Sequence, residues 1–356
     1  MPSDLAPVFH RLDELLTDNH DLWRSQPFTT GDLPWRHTHR HLHAALLDLS
    51  DAAVLRLHDH PQQLVGWLRE KEPKLGGAVC AFEPNLTGTP RDFAFDRHDS
   101  VNIPGRKWEQ IQAFTRSLPQ YKLPVVDWCA GKGHLSRIVQ RSQQQPVHCL
   151  EWDASLVAAG RQLAAEKKLE IYYHHHDVML ALPAACAGAD SVHVGLHACG
   201  VLHHRLLQHV AGTAAKAVAV SPCCYHKIAS GLYRPLSLAA GKTCLSLDRR
   251  ALHLAVQDTV TARGGERRLR ERERIWRLAF DALQRDLRAT EDYLNVPSVK
   301  RELLRQDFPR FCRWAANTRQ LTLPGRINYE RYLRRGSEKH REIVRLELLR
   351  KYSTGH

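Results

Sequence analysis

Long hydrophobic runs are missing from this chain. No stretch approaches the run of about 18 apolar residues that a membrane-spanning helix requires, and the N-terminal segment MPSDLAPVFHRLDELL contains acidic side chains and no apolar core of a secretion signal. Internal repeats are missing as well. These absences argue against a membrane-spanning or repeat protein, and we expect a cytoplasmic protein with no membrane partner.

A framework of paired cysteines is also missing. The chain has nine cysteines, an odd number, and two of them are adjacent, Cys223 and Cys224. This usage is typical of reduced thiols in the cytoplasm rather than of disulfides. The 356 residues, of which 43% are hydrophobic and 25% charged, have the composition of a soluble globular protein with one large or two ordinary domains.

Negative charge is scarce in the last third of the chain. Residues 249–356 hold 26 Lys and Arg against 14 Asp and Glu, a net charge of +12, whereas residues 1–248 hold 25 against 24. Arg-rich helix faces in solvent, as in RRLRERERIWR, would account for the excess. A surface for a polyanion would account for it too, and we favour a nucleic acid as partner.

The chain divides into three predicted regions. Residues 1–95 are mostly helical, with one helix predicted over Trp35–Leu49, and residues 261–356 are basic and mostly helical. Residues 96–260 alternate short apolar strands with helices, which predicts an α/β fold with a parallel, Rossmann-like sheet. The five predicted strands span residues 123–128, 146–151, 170–174, 191–196 and 215–220.

The first predicted strand ends in a glycine-spaced turn, within the sequence DWCAGKGHLS of residues 127–136. Gly131 and Gly133 permit positive φ and close approach of the backbone to a ligand. The helix that comes next points its N–H groups at that ligand. A strand, a glycine turn and a helix in this order are typical of nucleotide binding. The third glycine of G-x-G-x-x-G is missing, however, which argues against NAD.

Acidic residues lie at the ends of three predicted strands, where a sheet of this kind binds its ligand. Glu151 lies at the tip of the second strand, where a carboxylate accepts both hydroxyls of a ribose; the alternative is a solvated acid. Asp177 is placed to accept an adenine amino hydrogen, or else forms an Asx turn or a helix cap. Asp127 braces the turn or reaches an ammonium group. Together they predict a nucleoside with an amino-acid tail.

The motifs D-x-C-x-G-K-G-x-L-S, L-H-A-C-G and C-C-Y-H, in this order within about residues 97–228, resemble a family of class I S-adenosylmethionine-dependent methyltransferases. Its members include acceptor-stem tRNA 2′-O-methyltransferases and methyltransferase-like proteins. The resemblance implies a class I methyltransferase sheet between the helical N-terminal region and the helical, basic C-terminal region. It also implies that Asp127, Gly131 and Gly133 hold the methionine end of the cofactor, Glu151 the ribose and Asp177 the adenine. The remaining cofactor-binding residues that it implies are Lys107, Cys129, Ala130, Trp152, Val178 and His197.

The chain departs from the family pattern in two places. Cys129 stands where class I enzymes usually have their first glycine. The antiparallel final strand pair of these enzymes is not recognisable in the sequence. Residues 252–257 or 343–349 would supply part of it, or else the chain is cut short or rearranged.

Methyl transfer requires an acceptor aligned with the sulfonium and, for a hydroxyl, a group that takes its proton. Because the first, fourth and fifth strands should be neighbours, we expect the polar residues at the ends of the last two to converge. His197 or His226 would position the acceptor or act as a base. Cys223 or Cys224 would add to C6 of a pyrimidine.

Two further roles are open for the cysteines at the ends of these strands. They would fill the core as small apolar side chains, or they would bind zinc together with His226. Adjacent cysteines in extended chain point in different directions, which disfavours zinc, and we assign no metal site. The set that would bind zinc is Cys199, Cys223, Cys224 and His226.

The acceptor is predicted from the motif after the fourth strand and from charge. Amino-methylating enzymes of nucleic acids carry Asn/Asp-Pro-Pro-aromatic there, whereas this chain has LHACG. The basic last third and the tRNA-modifying relatives favour RNA, either tRNA or rRNA, in a single-stranded or distorted region. A protein acceptor, a small-molecule acceptor and a non-catalytic module that binds the cofactor or RNA are the alternatives.

Overall fold

The chain folds into two compact units in this computed structural model. One unit comprises residues 84–256, and the other joins residues 1–83 to residues 257–356. The N-terminal and C-terminal helices thus share one unit, while the three predicted boundaries stay a prediction. The structure describes residues 6–28, 33–75, 90–188, 190–213, 215–257 and 264–349.

A parallel sheet of five strands forms the centre of the unit of residues 84–256. The strand order is β3-β2-β1-β4-β5, and every neighbouring pair is parallel. The prediction of an α/β, Rossmann-like sheet is therefore confirmed. The strands are β1 (Val125–Trp128), β2 (Val147–Glu151), β3 (Ile171–His175), β4 (Val192–Leu196) and β5 (Ala217–Ser221).

Helices precede, separate and follow these strands. In chain order they are α1 (Ala6–Asp18), α2 (His20–Arg24), α3 (Trp35–Thr38), α4 (Arg40–Leu47), α5 (Asp51–Asp59), α6 (Pro61–Lys71), α7 (Gly105–Ser117), α8 (His134–Gln143), α9 (Ala154–Glu166), α10 (Val201–Gly212), α11 (Arg249–Gln257), α12 (Gly264–Arg288), α13 (Arg301–Leu304), α14 (Phe308–Thr318) and α15 (Tyr329–Leu346). None of the helices in the described ranges is long and apolar enough to cross a membrane.

The sheet positions the candidate site through its strand order. All four residues of β1 are buried, as expected for a central strand that is covered on both faces. The order reverses at β1, because β2 lies on one side of it and β4, which the chain reaches only after β2 and β3, lies on the other. Ligands bind beyond the carboxyl ends of the strands at such a reversal.

Two expectations from the sequence are wrong. The single helix over Trp35–Leu49 is interrupted, because His39 (φ −118°, ψ 53°) is not helical. The segments proposed as final strands are helical instead: residues 252–257 belong to α11, and α15 extends to Leu346. Asp248 accounts for the first of these helices, because its carboxylate accepts the N–H of Ala251 at 2.7 Å and so caps α11.

The other unit has two hydrophobic cores. Leucines of the N-terminal helices pack with Leu346, Leu348 and Leu349. A second core packs aromatic residues of α12 and α14. Helices α12 and α15 cross closely at Gly336, where a Cβ atom would lie 2.7 Å from the Cβ of Ala279. This unit carries most of the basic C-terminal third.

Candidate cofactor and acceptor site

The glycine turn after β1 has three residues in the left-handed region: Cys129 (φ 57°), Gly131 (φ 59°) and Gly133 (φ 69°). Cys129 thus adopts a backbone conformation that favours glycine, at a cost of about 1–2 kcal/mol. The N–H of the next residue, Ala130, donates to the carbonyl of Leu150 at 3.1 Å and ties the turn to β2. The departure from the family pattern therefore leaves the turn in its glycine-type shape.

Tyr173 of β3 packs beneath this turn. A Cβ atom on Gly133 would lie 1.8 Å from the tyrosine hydroxyl, and one on Gly160 would lie 2.3 Å from the ring. The hydroxyl is buried and has no hydrogen-bond partner in the described parts of the chain. Sequence reasoning missed Tyr173, because an aromatic residue in a strand gives no sign of what it packs against.

Glu151 connects the ends of β1 and β2. Its Oε2 accepts the N–H of Gly131 at 2.8 Å, and its Oε1 accepts the N–H of Asp153 at 3.0 Å. The residue is 6% exposed. Because each carboxylate oxygen has two lone pairs, two acceptor positions remain for ligand hydroxyls. The arrangement suits the ribose role.

Asp127 is the most deeply buried acid of the site, at 2% exposure. The hydroxyl of Ser136 donates to its Oδ2 at 2.5 Å. Burial raises the pKa of Asp127 to about 7, against the opposing effects of the Ser136 hydrogen bond and the positive charge of Lys107. A cationic ligand would stabilise the ionised form of this carboxyl, because a nearby positive charge favours that form. Sequence reasoning assigned no role to Ser136.

The adenine end of the predicted site is more exposed. Oδ1 of Asp177 accepts the N–H of Met179 at 2.9 Å, which is the Asx turn that the sequence left as an alternative. The next residue, Val178, is buried. Trp152 is 75% exposed, and its carbonyl accepts a hydrogen bond from His175 at 2.8 Å. An exposed indole after β2 offers an aromatic face on which a base would stack.

Helix α7 brings two side chains toward the ends of β1 and β4. The positive charge of Lys107 opposes the rise in the pKa of Asp127, and it adds to the effect of burial in lowering the pKa of His197. Oε1 of Gln110 lies 3.0 Å from Nε2 of His197. With Nε2 donating to this oxygen, Nδ1 of the neutral ring is an acceptor. Gln110 was missed, because the sequence does not show which face of α7 meets the sheet.

His197 shares its unusual backbone with Cys129. Its φ is 68°, again in the left-handed region. Two non-glycine residues in this region, at the ends of the neighbouring strands β1 and β4, are typical of functional sites. Burial, followed by the charges of Lys107 and Arg106, lowers the pKa of His197. Its ring is therefore held neutral at physiological pH.

Cys129 lies between the predicted cofactor-binding acids at the ends of β1 and β2 and the cysteines that follow β4 and β5. Burial raises the pKa of its thiol to about 12, and the charges that act on it in the same direction come from four residues at the strand ends. The structure thus brings the three predicted cofactor acids and one cysteine of the proposed zinc set into electrostatic range of one sulfur. In order of effect these residues are Glu151, Asp127, Cys199 and Asp177.

The loops after β4 and β5 contain a group of three cysteines. The Sγ atoms of Cys199, Cys223 and Cys224 all lie within 4.8 Å of one another, with 2.8 Å from Cys199 to Cys223 and 3.6 Å from Cys223 to Cys224. The expectation that the adjacent cysteines point apart is wrong, because both follow β5 in a loop and not in extended chain. Burial, together with the neighbouring thiols, raises the pKa of Cys223. A free thiolate nucleophile is disfavoured at that position.

His226 does not belong to this group. Its ring packs edge-on against His253, with 4.5 Å between the ring centroids. Nδ1 of His226 is buried without a hydrogen-bond partner among the described residues. The predicted catalytic residues therefore lie in three places: His197 beside Gln110, Cys223 and Cys224 in the cysteine group, and His226 beside α11.

Known proteins relate this site to methyl transfer. Residues 106–231 match a family model described as a methyltransferase domain. No curated protein is significantly similar to the chain. Among solved structures, the chain is similar to the plantazolicin methyltransferase BpumL in complex with SAH, with 10% identity, 61% of this chain and 75% of that chain covered, and a TM-score of 0.28. It is also similar to coclaurine N-methyltransferase bound to N-methylheliamine and SAH, with 12% identity, 98% and 94% covered, and a TM-score of 0.30.

The segment that matches the family model begins in α7 and ends just after the CCYH motif. It contains every residue that the sequence assigned to the cofactor or to catalysis. The prediction of a methyltransferase domain is confirmed at this level. The more specific relationship to tRNA 2′-O-methyltransferases stays a prediction.

Proposed function

We propose that this protein is an S-adenosylmethionine-dependent methyltransferase whose acceptor is RNA. The observation that carries the cofactor part is the Glu151 carboxylate, which binds the Gly131 N–H at 2.8 Å across the ends of β1 and β2. It joins an acid suited to ribose to a turn with a glycine-type backbone. Both lie in the segment that matches a methyltransferase domain.

In this proposal, different residues hold the methionine end, the ribose and the adenine of the cofactor. Asp127 accepts the ammonium of the methionine end, and Gly131 and Gly133 let the backbone pass close to that end. Glu151 accepts the ribose hydroxyls, and Asp177 the adenine amino group. Lys107 supplies a cation for the methionine carboxylate, since its charge already acts on Asp127.

The cofactor supplies a methyl group on a sulfonium, and transfer to an acceptor oxygen or nitrogen leaves S-adenosylhomocysteine. The protein aligns the acceptor with that methyl group. His197 is suited to this task, because Gln110 orients its ring at 3.0 Å and leaves Nδ1 to accept a hydrogen bond from the acceptor. We assign His197 as the positioning group.

Titration calorimetry with S-adenosylmethionine and S-adenosylhomocysteine tests the cofactor. We expect saturable binding of both by the full chain, and much weaker binding by Glu151→Gln. Binding of neither molecule by the folded wild-type chain would contradict the proposal. Binding without methyl transfer to any RNA, protein or small-molecule fraction would favour the non-catalytic alternative.

The RNA part of the proposal is supported by charge on α15. Arg331, Arg334 and Arg341 are exposed and lie three and seven residues apart, on one face of the helix. None of the three forms an ion pair within 4.0 Å in the described part of the chain. Other arginines of this unit are neutralised, as in the pair of Arg335 with Asp286 at 2.7 Å. Glu338 lies on the same face, so the three guanidinium groups leave an excess of positive charge there, which suits a phosphate backbone.

Methyl transfer into RNA gives the direct test. Labelled S-adenosylmethionine is incubated with RNA, protein and metabolite fractions from cells that lack the gene, and label in RNA is expected. The variant Arg331→Gln/Arg334→Gln/Arg341→Gln should bind RNA more weakly, and the dependence of its affinity on salt should be less steep.

A matched control removes the same charge elsewhere. The variant Lys122→Gln/Lys167→Gln/Lys168→Gln removes three exposed cations that precede β1 and β3, at the opposite edge of the sheet from the candidate site. It should retain wild-type RNA binding. Label in protein or in small molecules only, or equal RNA binding by both variants, would contradict RNA as the acceptor.

A further inference from the structure

Three thiols meet where β4 and β5 end. Cys199 follows β4, and Cys223 and Cys224 follow β5, so two neighbouring strands contribute to one cluster. Their Sγ atoms lie within 4.8 Å of one another, and all three residues are partly exposed. Among the described residues, no other group contains three cysteines at this spacing. A ligand that enters from solvent therefore reaches three sulfurs at once.

Backbone contacts hold the two cysteine-bearing loops together. The N–H of His197 donates to the carbonyl of Ser221 at 3.1 Å, and the N–H of Val201 donates to the carbonyl of Lys227 at 3.0 Å. Gly200 (φ 59°) allows this approach, since a Cβ there would lie 1.9 Å from the Lys227 oxygen. The backbone of the two loops is thus held together on both sides before any ligand binds, and rotation of the cysteine side chains sets the distances between the sulfurs.

We propose that Cys199, Cys223 and Cys224 bind one Zn²⁺ ion through their three Sγ atoms, with a fourth coordination position open to solvent or substrate. Zinc takes thiolates at about 2.3 Å in tetrahedral geometry, which places the sulfurs about 3.8 Å apart. The Cys223–Cys224 separation of 3.6 Å is close to that value. The Cys199–Cys223 separation of 2.8 Å must open by about 1 Å.

Binding would release the three thiol protons to solvent and leave three thiolates on the ion. Soft thiolate ligands favour zinc over the oxygen-seeking Mg²⁺ and Ca²⁺. Three protein ligands with an open position are typical of zinc that contacts a substrate, whereas structural sites use four. The zinc site goes beyond the proposed function and does not rest on it, because its test measures metal and not methyl transfer.

Metal analysis of the full chain tests the proposal. The protein is produced in medium with added zinc, purified under reducing conditions without chelators, and its zinc is measured by mass spectrometry. We expect one equivalent of zinc in the wild-type chain and its loss in Cys199→Ser, Cys223→Ser and Cys224→Ser. Cys244→Ser is the matched control, because Cys244 is exposed and outside the cluster, and it should keep the zinc.

His226 provides a second control. His226→Ala should retain zinc, because the imidazole does not belong to the cluster; loss of zinc in this variant would overturn the three-ligand assignment. Circular dichroism of each variant shows whether it is folded. If the serine variants do not fold, cobalt is added to the metal-free wild-type chain, where charge-transfer absorption from thiolate sulfur and intense visible bands of tetrahedral Co²⁺ are expected.

Three results would overturn the proposal. The first is wild-type protein with reduced thiols that takes up neither zinc nor cobalt. The second is full zinc content in a folded Cys199→Ser/Cys223→Ser variant. The third is a Cys199–Cys223 disulfide, seen by peptide mass spectrometry after non-reducing digestion of protein purified with zinc.

Discussion

The β1–β2 side and the β4–β5 side of the site use the same backbone device for different purposes. Each side combines a non-glycine residue at positive φ with glycine at positive φ: Cys129 with Gly131 and Gly133, and His197 with Gly200. On the β1–β2 side, buried carboxylates accept hydrogen bonds from the turn and from the helix after it. On the β4–β5 side, partly exposed thiols cluster and Gln110 orients an imidazole. The β1–β2 side is therefore suited to hold a ligand in one position, and the β4–β5 side is suited to a ligand that reacts.

Gly200→Ala should have the largest effect, on the β4–β5 side. The new Cβ would lie 1.9 Å from the carbonyl oxygen of Lys227, which is backbone and cannot rotate away, and φ would stay at 59°. We expect a loss of about 4 kcal/mol in the free energy of unfolding, measured by urea denaturation of the full chain. Gly212→Ala is the control, because nothing lies within 4 Å of its Cβ position, and it should change stability by less than about 1 kcal/mol. Equal stability of the two variants would contradict the rigid contact.

Gly133→Ala should have a smaller effect, on the β1–β2 side. Its Cβ would meet the end of a side chain, the Tyr173 hydroxyl, at 1.8 Å, and we expect a loss of about 3 kcal/mol. Gly131→Ala has a similar φ but no atom within 4 Å, and it should lose only about 1–2 kcal/mol. Adding Tyr173→Phe to Gly133→Ala should restore part of the loss. A double variant no more stable than the single one would show that the crowding lies elsewhere.

Glu151→Gln should weaken the cofactor without a large loss of stability. The glutamine carbonyl can still accept from one of the two N–H groups that the carboxylate now holds. A hydrogen bond from a ribose hydroxyl to a charged group contributes about 1.5–3 kcal/mol, so the Kd for S-adenosylmethionine should rise about 10- to 100-fold. Asp153→Asn removes the same charge two residues away, and asparagine caps α9 as well as aspartate does. It should bind the cofactor as the wild type does. Equally weak cofactor binding by both variants would show that the loss of one negative charge, and not a contact of Glu151, causes the effect.

A dependence of cofactor affinity on pH should distinguish the two sides most finely. The pKa of Asp127 is about 7 because the carboxyl is buried. Below that pH the carboxyl must lose its proton before it accepts an ammonium group, so binding releases a proton. Affinity should therefore rise up to about tenfold per pH unit below about 7, and level off above it. The measurement is calorimetry in buffers of different ionisation enthalpy.

Asp127→Asn should bind more weakly and lose this pH dependence. A wild-type affinity that is flat between about pH 5 and about pH 8 would place the ammonium elsewhere.

The protonation of Asp127 also makes the free energy of unfolding depend on pH. Its folded pKa lies above the usual value of 3.8, so the stability that it contributes is fully present at low pH and is lost as the pH rises from about 4 to about 7.

The sequence was sufficient for the features that local pattern determines. The alternation of strands and helices predicted the sheet, and residue spacing placed Glu151 opposite the glycine turn. Contacts set by register were not predictable: Tyr173 beneath Gly133 depends on which face of β3 meets α8, and Gln110 on which face of α7 meets the sheet. The direction of Cys224 depends on a loop conformation that no periodicity encodes.

The same reasoning explains the two errors outside the site. A helix pattern over residues 35–49 does not reveal the change of backbone angles at His39. Residues 252–257 are short and apolar, which suits a strand as well as a helix. Around them Ala251 and Leu254 are buried at a spacing of three after an Asp248 cap, and this spacing makes the segment a helix.

The thiol of Cys129, in the glycine turn after β1, should be resistant to oxidation and alkylation. A thiol with a pKa of about 12 has only about one molecule in 10⁵ ionised at pH 7. Because the thiolate is the nucleophile that attacks peroxides and electrophiles, this position is slow to oxidise and slow to alkylate. The turn thus carries a thiol at a position whose backbone favours glycine, yet under oxidative stress this thiol should react very slowly.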